Sequence, residues 1–111
     1  MEIEIILLEE AREFLIGLDE KARNKILHDM NKTKIGFRGE WFQRMSGTDD
    51  IWEFRTLFNK TYSRLFAFWY KSGNKETLIV CTNGLVKKTD KTPAGYIERA
   101  EKLKQEYMKE A

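Results

Sequence analysis

The 111-residue sequence predicts one α+β domain, spanning residues 1–111, in the order strand, helix, helix, three strands, helix. Three observations carry this prediction. Two successive stretches near the N-terminus repeat apolar residues at helical spacing. Three later runs are rich in aromatic and β-branched residues and are joined by short turns, which implies an antiparallel sheet. A last stretch of helical periodicity begins at the chain's one proline, Pro93.

Each element follows from its local pattern. Glu2 to Leu7 alternates, with Ile3 and Ile5 set against Glu2 and Glu4, and reads as a strand. Leu8, Ala11, Phe14 or Leu15, and Leu18 recur at helical spacing. Gly17 to Asp19 breaks the pattern, and Asp19 is placed to cap the next helix, whose stripe is Ala22, Ile26 and Met30. The two helices form a hairpin suited to one face of a sheet. Residues 33–50 carry three glycines and no clear period, so they read as a loop with room for one short strand around Phe42 to Met45. Ile51 to Phe58, Thr61 to Tyr70, and Glu76 to Asn83 or slightly beyond then read as strands. Asn59-Lys60 and Ser72-Gly73-Asn74 are the turns between them. The final helix runs from Pro93 to about Lys109, with Thr92 as its cap and Tyr96, Ala100, Leu103 and Tyr107 as its apolar face.

Composition narrows the function. Hydrophobic residues make up 41% and charged residues 34%, a globular balance, and the net charge of +2 means that any polyanion affinity must come from a local cluster. The one cysteine, Cys81, sits in an apolar run and reads as a buried small hydrophobe. No Cys/His spacing suggests a metal, and no cofactor fingerprint is present. The acidic start lacks the basic region of a signal peptide, and no apolar run approaches the ~18 residues of a membrane span. These features point to a cytoplasmic protein without membrane contact.

Two features can carry chemistry. A two-residue turn at Asn59-Lys60 pairs Phe58 with Thr61, Leu57 with Tyr62, Thr56 with Ser63, and Arg55 with Arg64. Like charges directly opposite on a sheet repel, so this pair is either screened, with Glu53 holding one arginine, or used jointly on an anion. On the second view Arg64 is an exposed residue of a rigid central strand, dispensable for folding. The other feature is "VKKTDKTP", which gathers Lys87, Lys88 and Lys91 where a strand hands over to a helix. A helix N-terminus exposes unpaired N–H groups, and lysines beside it strengthen an anion site. Alternation sets Lys87 and Lys88 on opposite sides of the strand end. A solvated charged turn is the plainer reading. His28 falls on the helix side away from the apolar stripe and has no second histidine as a partner. Trp52, Phe68 and Trp69 suit a core better than base stacking. Tyr96 and Tyr107 belong to the apolar stripe, although Tyr96 lies close to Lys91.

The run "IWEFR" (Ile51 to Arg55), then "TYSRLFAF" (Thr61 to Phe68), then "GLVKKTDKTPAGYIERA" (Gly84 to Ala100) resembles the RelE/ParE toxin superfamily. The nearest branch is the phage-derived HigB-like one, which shows a Glu-x-Arg strand, a Tyr-x-Arg strand and a Lys-Lys-Thr-x-Lys-Thr-Pro segment in this order. The first half of the chain fits in element order only. The resemblance implies a RelE-like fold and a ribosome-dependent messenger-RNA endonuclease of a type II toxin–antitoxin system. Its partners would be the ribosome, messenger RNA and a small antitoxin, expected to be of helix-turn-helix type. It also implies a catalytic set of Arg55, Arg64, Lys87, Lys88 and Lys91, with Arg44, Thr92 and Tyr96 as further RNA contacts. Ile51 and Glu53 stand where the best-known subgroup has lysines, and Tyr96 does not align cleanly with that subgroup's catalytic tyrosine. Two other readings are a ParE-like toxin that inhibits DNA gyrase by binding, and an RNA-binding module without catalysis.

Overall fold

The computed structural model describes residues 3–72, 75–89 and 91–110. Its elements are β1 (Glu4–Leu7), α1 (Glu9–Gly17), α2 (Glu20–Lys34), β2 (Phe42–Arg44), β3 (Trp52–Phe58), β4 (Thr61–Ser72), β5 (Lys75–Lys87) and α3 (Ala94–Glu110). The α+β class and the element order match the expectation, with β2 realised as the short strand in the glycine-bearing loop. The strands form one sheet in the order β1-β5-β4-β3-β2. Neighbours are antiparallel except β1, which runs parallel to β5 with Glu4 opposite Leu78 and Leu7 opposite Cys81. The helical hairpin carries the chain from β1 at one edge to β2 at the other, so no short turn governs the direction of β1.

Local chemistry explains the turns. The Asp19 carboxylate accepts from the backbone N–H groups of Lys21 at 3.1 Å and Ala22 at 3.4 Å, capping α2. Asn59 and Lys60 both adopt positive φ, 52° and 62°, which gives the hairpin twist that matches its strands. This turn fixes the β3–β4 register, with Phe58 opposite Thr61 and Arg55 opposite Arg64. Gly73 and Asn74 of the second turn, and Glu2 of the first strand, lie outside the described residues.

The two faces of the sheet are covered unequally. On one, α1 and α2 bury Leu15, Leu18, Ile26 and Met30 against Phe54, Leu65, Ala67, Ile79 and Cys81. Burial pushes the Cys81 thiol pKa far up, so it acts as a core hydrophobe. Gly84 passes under Phe14 of α1 so closely that a Cβ there would enter the ring's space. On the other face α3 covers only part of the sheet. Ala100 packs with Ile51, Phe66 and Leu85, and Tyr107 meets Phe68 and Tyr70 edge-on at 5.7 and 5.2 Å. Polar ties hold α3 in place. Arg99 binds Glu10 of α1, its Nε lying 3.0 and 3.2 Å from the two carboxylate oxygens. Asn83 donates to the Tyr96 carbonyl, and Lys104 donates to that of Asp49.

The start of α3 departs from the sequence reading. The helix begins at Ala94, and the Thr92 hydroxyl is buried without a hydrogen-bond partner, so Thr92 does not cap it. Tyr96 is 40% exposed and so leaves the apolar stripe, whose first inward residue is the half-buried Ile97. Tyr96 and Ile97 both keep the helical period with Ala100 and Tyr107, and the placement of α3 on the sheet turns Ile97 inward and leaves Tyr96 out.

Candidate functional site

The part of the second face left uncovered by α3 carries the basic residues. Direct pairing puts side chains on the same side of a sheet. Arg55 opposes Arg64, Leu57 opposes Tyr62, and across the next pair Tyr62 opposes Lys87 while Arg64 opposes Leu85. Arg55, Arg64, Lys87 and Tyr62 therefore share one face. The Tyr62 ring lies beneath both guanidiniums, 4.8 Å from that of Arg55 and 5.6 Å from that of Arg64. An aromatic face softens the repulsion of paired cations.

The two arginines differ in role. Arg64 is 4% exposed, and its Nη1 donates to the Glu53 carboxylate at 2.7 Å. Glu53 is itself buried at 8% and lies one pair along the same face, opposite Phe66. The expectation of an exposed Arg64 dispensable for folding is thus corrected. Its strand is central, Phe66 and Leu85 crowd it, and a carboxylate repays its desolvation. The alternative of an arginine held by Glu53 is the observed geometry. Arg55, nearer the sheet edge, is half-exposed.

The lysines divide in the same way. Lys87, the last residue of β5, is half-buried on the arginine face, while Lys88 and Lys91 are exposed in the connection to α3. The remaining sequence candidates lie elsewhere. Arg44 pairs with Trp52, whose ring packs in the core under the helical hairpin, so Arg44 belongs to the opposite face. There its Nε donates to Asp50 at 2.8 Å, and this guanidinium holds the Asp50 carboxyl below the usual carboxylate range. Tyr96 lines a cleft of about 650 Å³ between α1 and α3, together with Glu10, Phe14 and Arg99. Thr92 is half-buried at the start of α3. His28 is exposed on α2, as its position predicted.

Sequence reasoning missed a polar cavity of about 450 Å³ beside this face, at the edge of β3. Lys25 and Asp29 of α2, Glu40, Gln43, Arg55 and Tyr62 are among its walls. No local pattern signalled it, because it assembles from four separated segments. The face thus sets the Arg55 guanidinium and the Lys87 ammonium around an aromatic ring, with the Arg64 guanidinium held behind them by Glu53. Cations so placed can bind a phosphodiester and stabilise negative charge that builds on it.

Comparison with known proteins adds two findings. The profile of a family described as "Phage derived protein Gp49-like (DUF891)" matches residues 13–105. Among solved structures, a free-state mutant of the E. coli toxin RelE is similar in fold, with a TM-score of 0.63 and 16% identity, covering 92% of this chain and 97% of that one. No curated protein matches the chain in sequence.

Proposed function

The chain belongs to the phage-derived Gp49-like family, and from that membership and the RelE-like fold we propose that it is the toxin of a type II toxin–antitoxin system. In this reading it is an endoribonuclease that cuts messenger RNA on the ribosome and so inhibits translation in the cytoplasm. The observation that carries the reading is the open sheet face on which Arg55, Arg64 and Lys87 surround Tyr62.

The chemistry follows from that face. The 2′-hydroxyl oxygen of the message attacks the adjacent phosphorus, its proton passes to a solvent water, and the bond to the 5′-oxygen of the next nucleotide breaks. The products are a 2′,3′-cyclic phosphate and a 5′-hydroxyl end. Extra negative charge builds on the phosphate oxygens during attack. Arg55, half-exposed, grips these oxygens, and Lys87, on the far side of Tyr62 across β4, donates a proton to the departing 5′-oxygen. Arg64, locked by Glu53, fixes Tyr62 and the local field rather than closing on the ligand. Lys88 and Lys91 steer the flanking backbone. An antitoxin with an acidic segment would silence the toxin by covering this face.

The test is induction of wild type, Arg55→Ala and Lys87→Ala in cells, with growth and primer extension on a reporter message as readouts. Wild type is expected to arrest growth and cut the message, and each variant to lose roughly 10²-fold in cleavage, the usual cost of a charge-stabilising donor. Full cleavage by Arg55→Ala would overturn the assignment. Growth arrest with intact message and inhibited gyrase supercoiling would replace it with the ParE-like reading.

A further inference from the structure

The cavity at the β3 edge adjoins the basic face but differs from it in chemistry. β2 ends its pairing at Phe42 opposite Phe54, and the chain before it bends away after Trp41 accepts one bond from the Arg55 N–H at 2.8 Å. The last residues of β3 therefore border a recess instead of a strand. Its floor is fixed. Lys25 Nζ donates to the Leu57 carbonyl at 2.5 Å, the Thr56 hydroxyl donates to Asp29 Oδ2 at 3.1 Å, and Lys32 pairs with Asp29 Oδ1 at 3.2 Å.

Glu40 and Gln43 are both exposed in its wall, and Arg55 and Tyr62 line it on the side of the basic face. Among the described residues Glu40 makes no hydrogen bond or ion pair. The walls carry two cations, Lys25 and Arg55, against two carboxylates, Asp29 and Glu40. That balance does not favour a phosphate. It offers hydrogen-bond acceptors and donors beside a guanidinium, the combination that reads the edge of an unstacked RNA base.

Resting on the nuclease reading, we infer that this cavity receives the nucleobase next to the phosphate held by Arg55, and that it favours bases carrying an amino group over uracil. A carboxylate accepts from an exocyclic amine, and a glutamine amide pairs with adenine through both its donor and its acceptor. Uracil presents its one N–H between two carbonyl oxygens, which repel the Glu40 carboxylate. The recess holds the base beside Arg55, so one arginine serves both phosphate and base.

The test uses the purified chain on ribosomes programmed with messages that differ only in the nucleotide beside the cut. Wild type is expected to cut after adenine, cytosine or guanine roughly ten-fold faster than after uracil, the scale of one good base contact. Glu40→Gln, whose amide can also donate to a uracil carbonyl, is expected to level that preference. Equal cleavage of all four messages by wild type, or an unchanged preference in Glu40→Gln, would overturn the inference. Should wild type cut no message, failure lies with the nuclease reading, and the cavity is then judged by titration with guanosine and uridine 5′-monophosphates. Shifts of the Trp41 indole and Gln43 amide resonances with guanosine monophosphate alone would sustain it. Equal or absent shifts would overturn it.

Discussion

Arg64→Ala is expected to cost folding stability as well as function. The Arg64 and Glu53 side chains are 5% and 11% exposed and joined at 2.7 Å, so neither is well solvated without the other. Removing one member of a buried pair costs 3–5 kcal/mol, and the residual exposure here argues for the lower end, about 3 kcal/mol. A domain of this size has only about 5–15 kcal/mol in total. At about 4 °C per kcal/mol, the melting temperature should fall by roughly 12 °C. The assay is a thermal melt of purified wild type, Arg64→Ala and the double variant Glu53→Leu/Arg64→Met. The double variant removes both charges and should recover most of the loss, because apolar replacement of a buried pair is often neutral or stabilising. An Arg64→Ala protein melting within about 2 °C of wild type would refute the reasoning, since the pair would then contribute less than a typical surface contact.

Three further perturbations test other parts of the account. Gly84→Ala drives a methyl into the Phe14 ring and should destabilise by about 1–3 kcal/mol in urea unfolding. Lys60→Gly relieves a left-handed backbone at φ 62° and should stabilise by roughly 1 kcal/mol in the same measurement. The Arg99 hydrogen bond holds the Glu10 carboxyl below its ordinary value of 4.5, so this pair stabilises the fold fully above that pH and is lost as pH falls through the lowered folded value. Stability from pH 5 down should therefore decline more steeply in wild type than in Glu10→Gln, measured by urea unfolding at each pH.

The parts of the fold legible in the sequence are those fixed by neighbours in the chain. Asp19 announces its helix because a cap acts over two or three residues. Asn59-Lys60 sets the β3–β4 register because a two-residue turn leaves no slack, and Arg55 opposite Arg64 follows from it. What escaped depends on distant partners. The parallel β1–β5 pairing joins segments far apart in the chain and has no local signature. Tyr96 and Ile97 are both apolar and adjacent, so the period alone could not choose between them, and the placement of α3 decided. Arg64 appeared exposed because arginine usually is. The sign of its burial was present, since Glu53 lies diagonally across the pair and Phe66 directly opposite Glu53. Of the candidate site, Arg55 opposite Arg64 was legible through register, alternation left open which of Lys87 and Lys88 joins them until the pairing of Lys87 with Tyr62 decided it, and Arg44 faces the other way because β2 pairs it with Trp52.

The central claim is that this face cleaves RNA through the message's own 2′-hydroxyl. The most direct measurement is cleavage by the purified chain of a ribosome-bound message in which the nucleotide before the cut carries 2′-hydrogen in place of 2′-hydroxyl. The account predicts that the unmodified message is cut to a 2′,3′-cyclic phosphate and a 5′-hydroxyl end, and that the deoxy-substituted message stays whole at that position. Cleavage of both messages alike, or of neither, would contradict it.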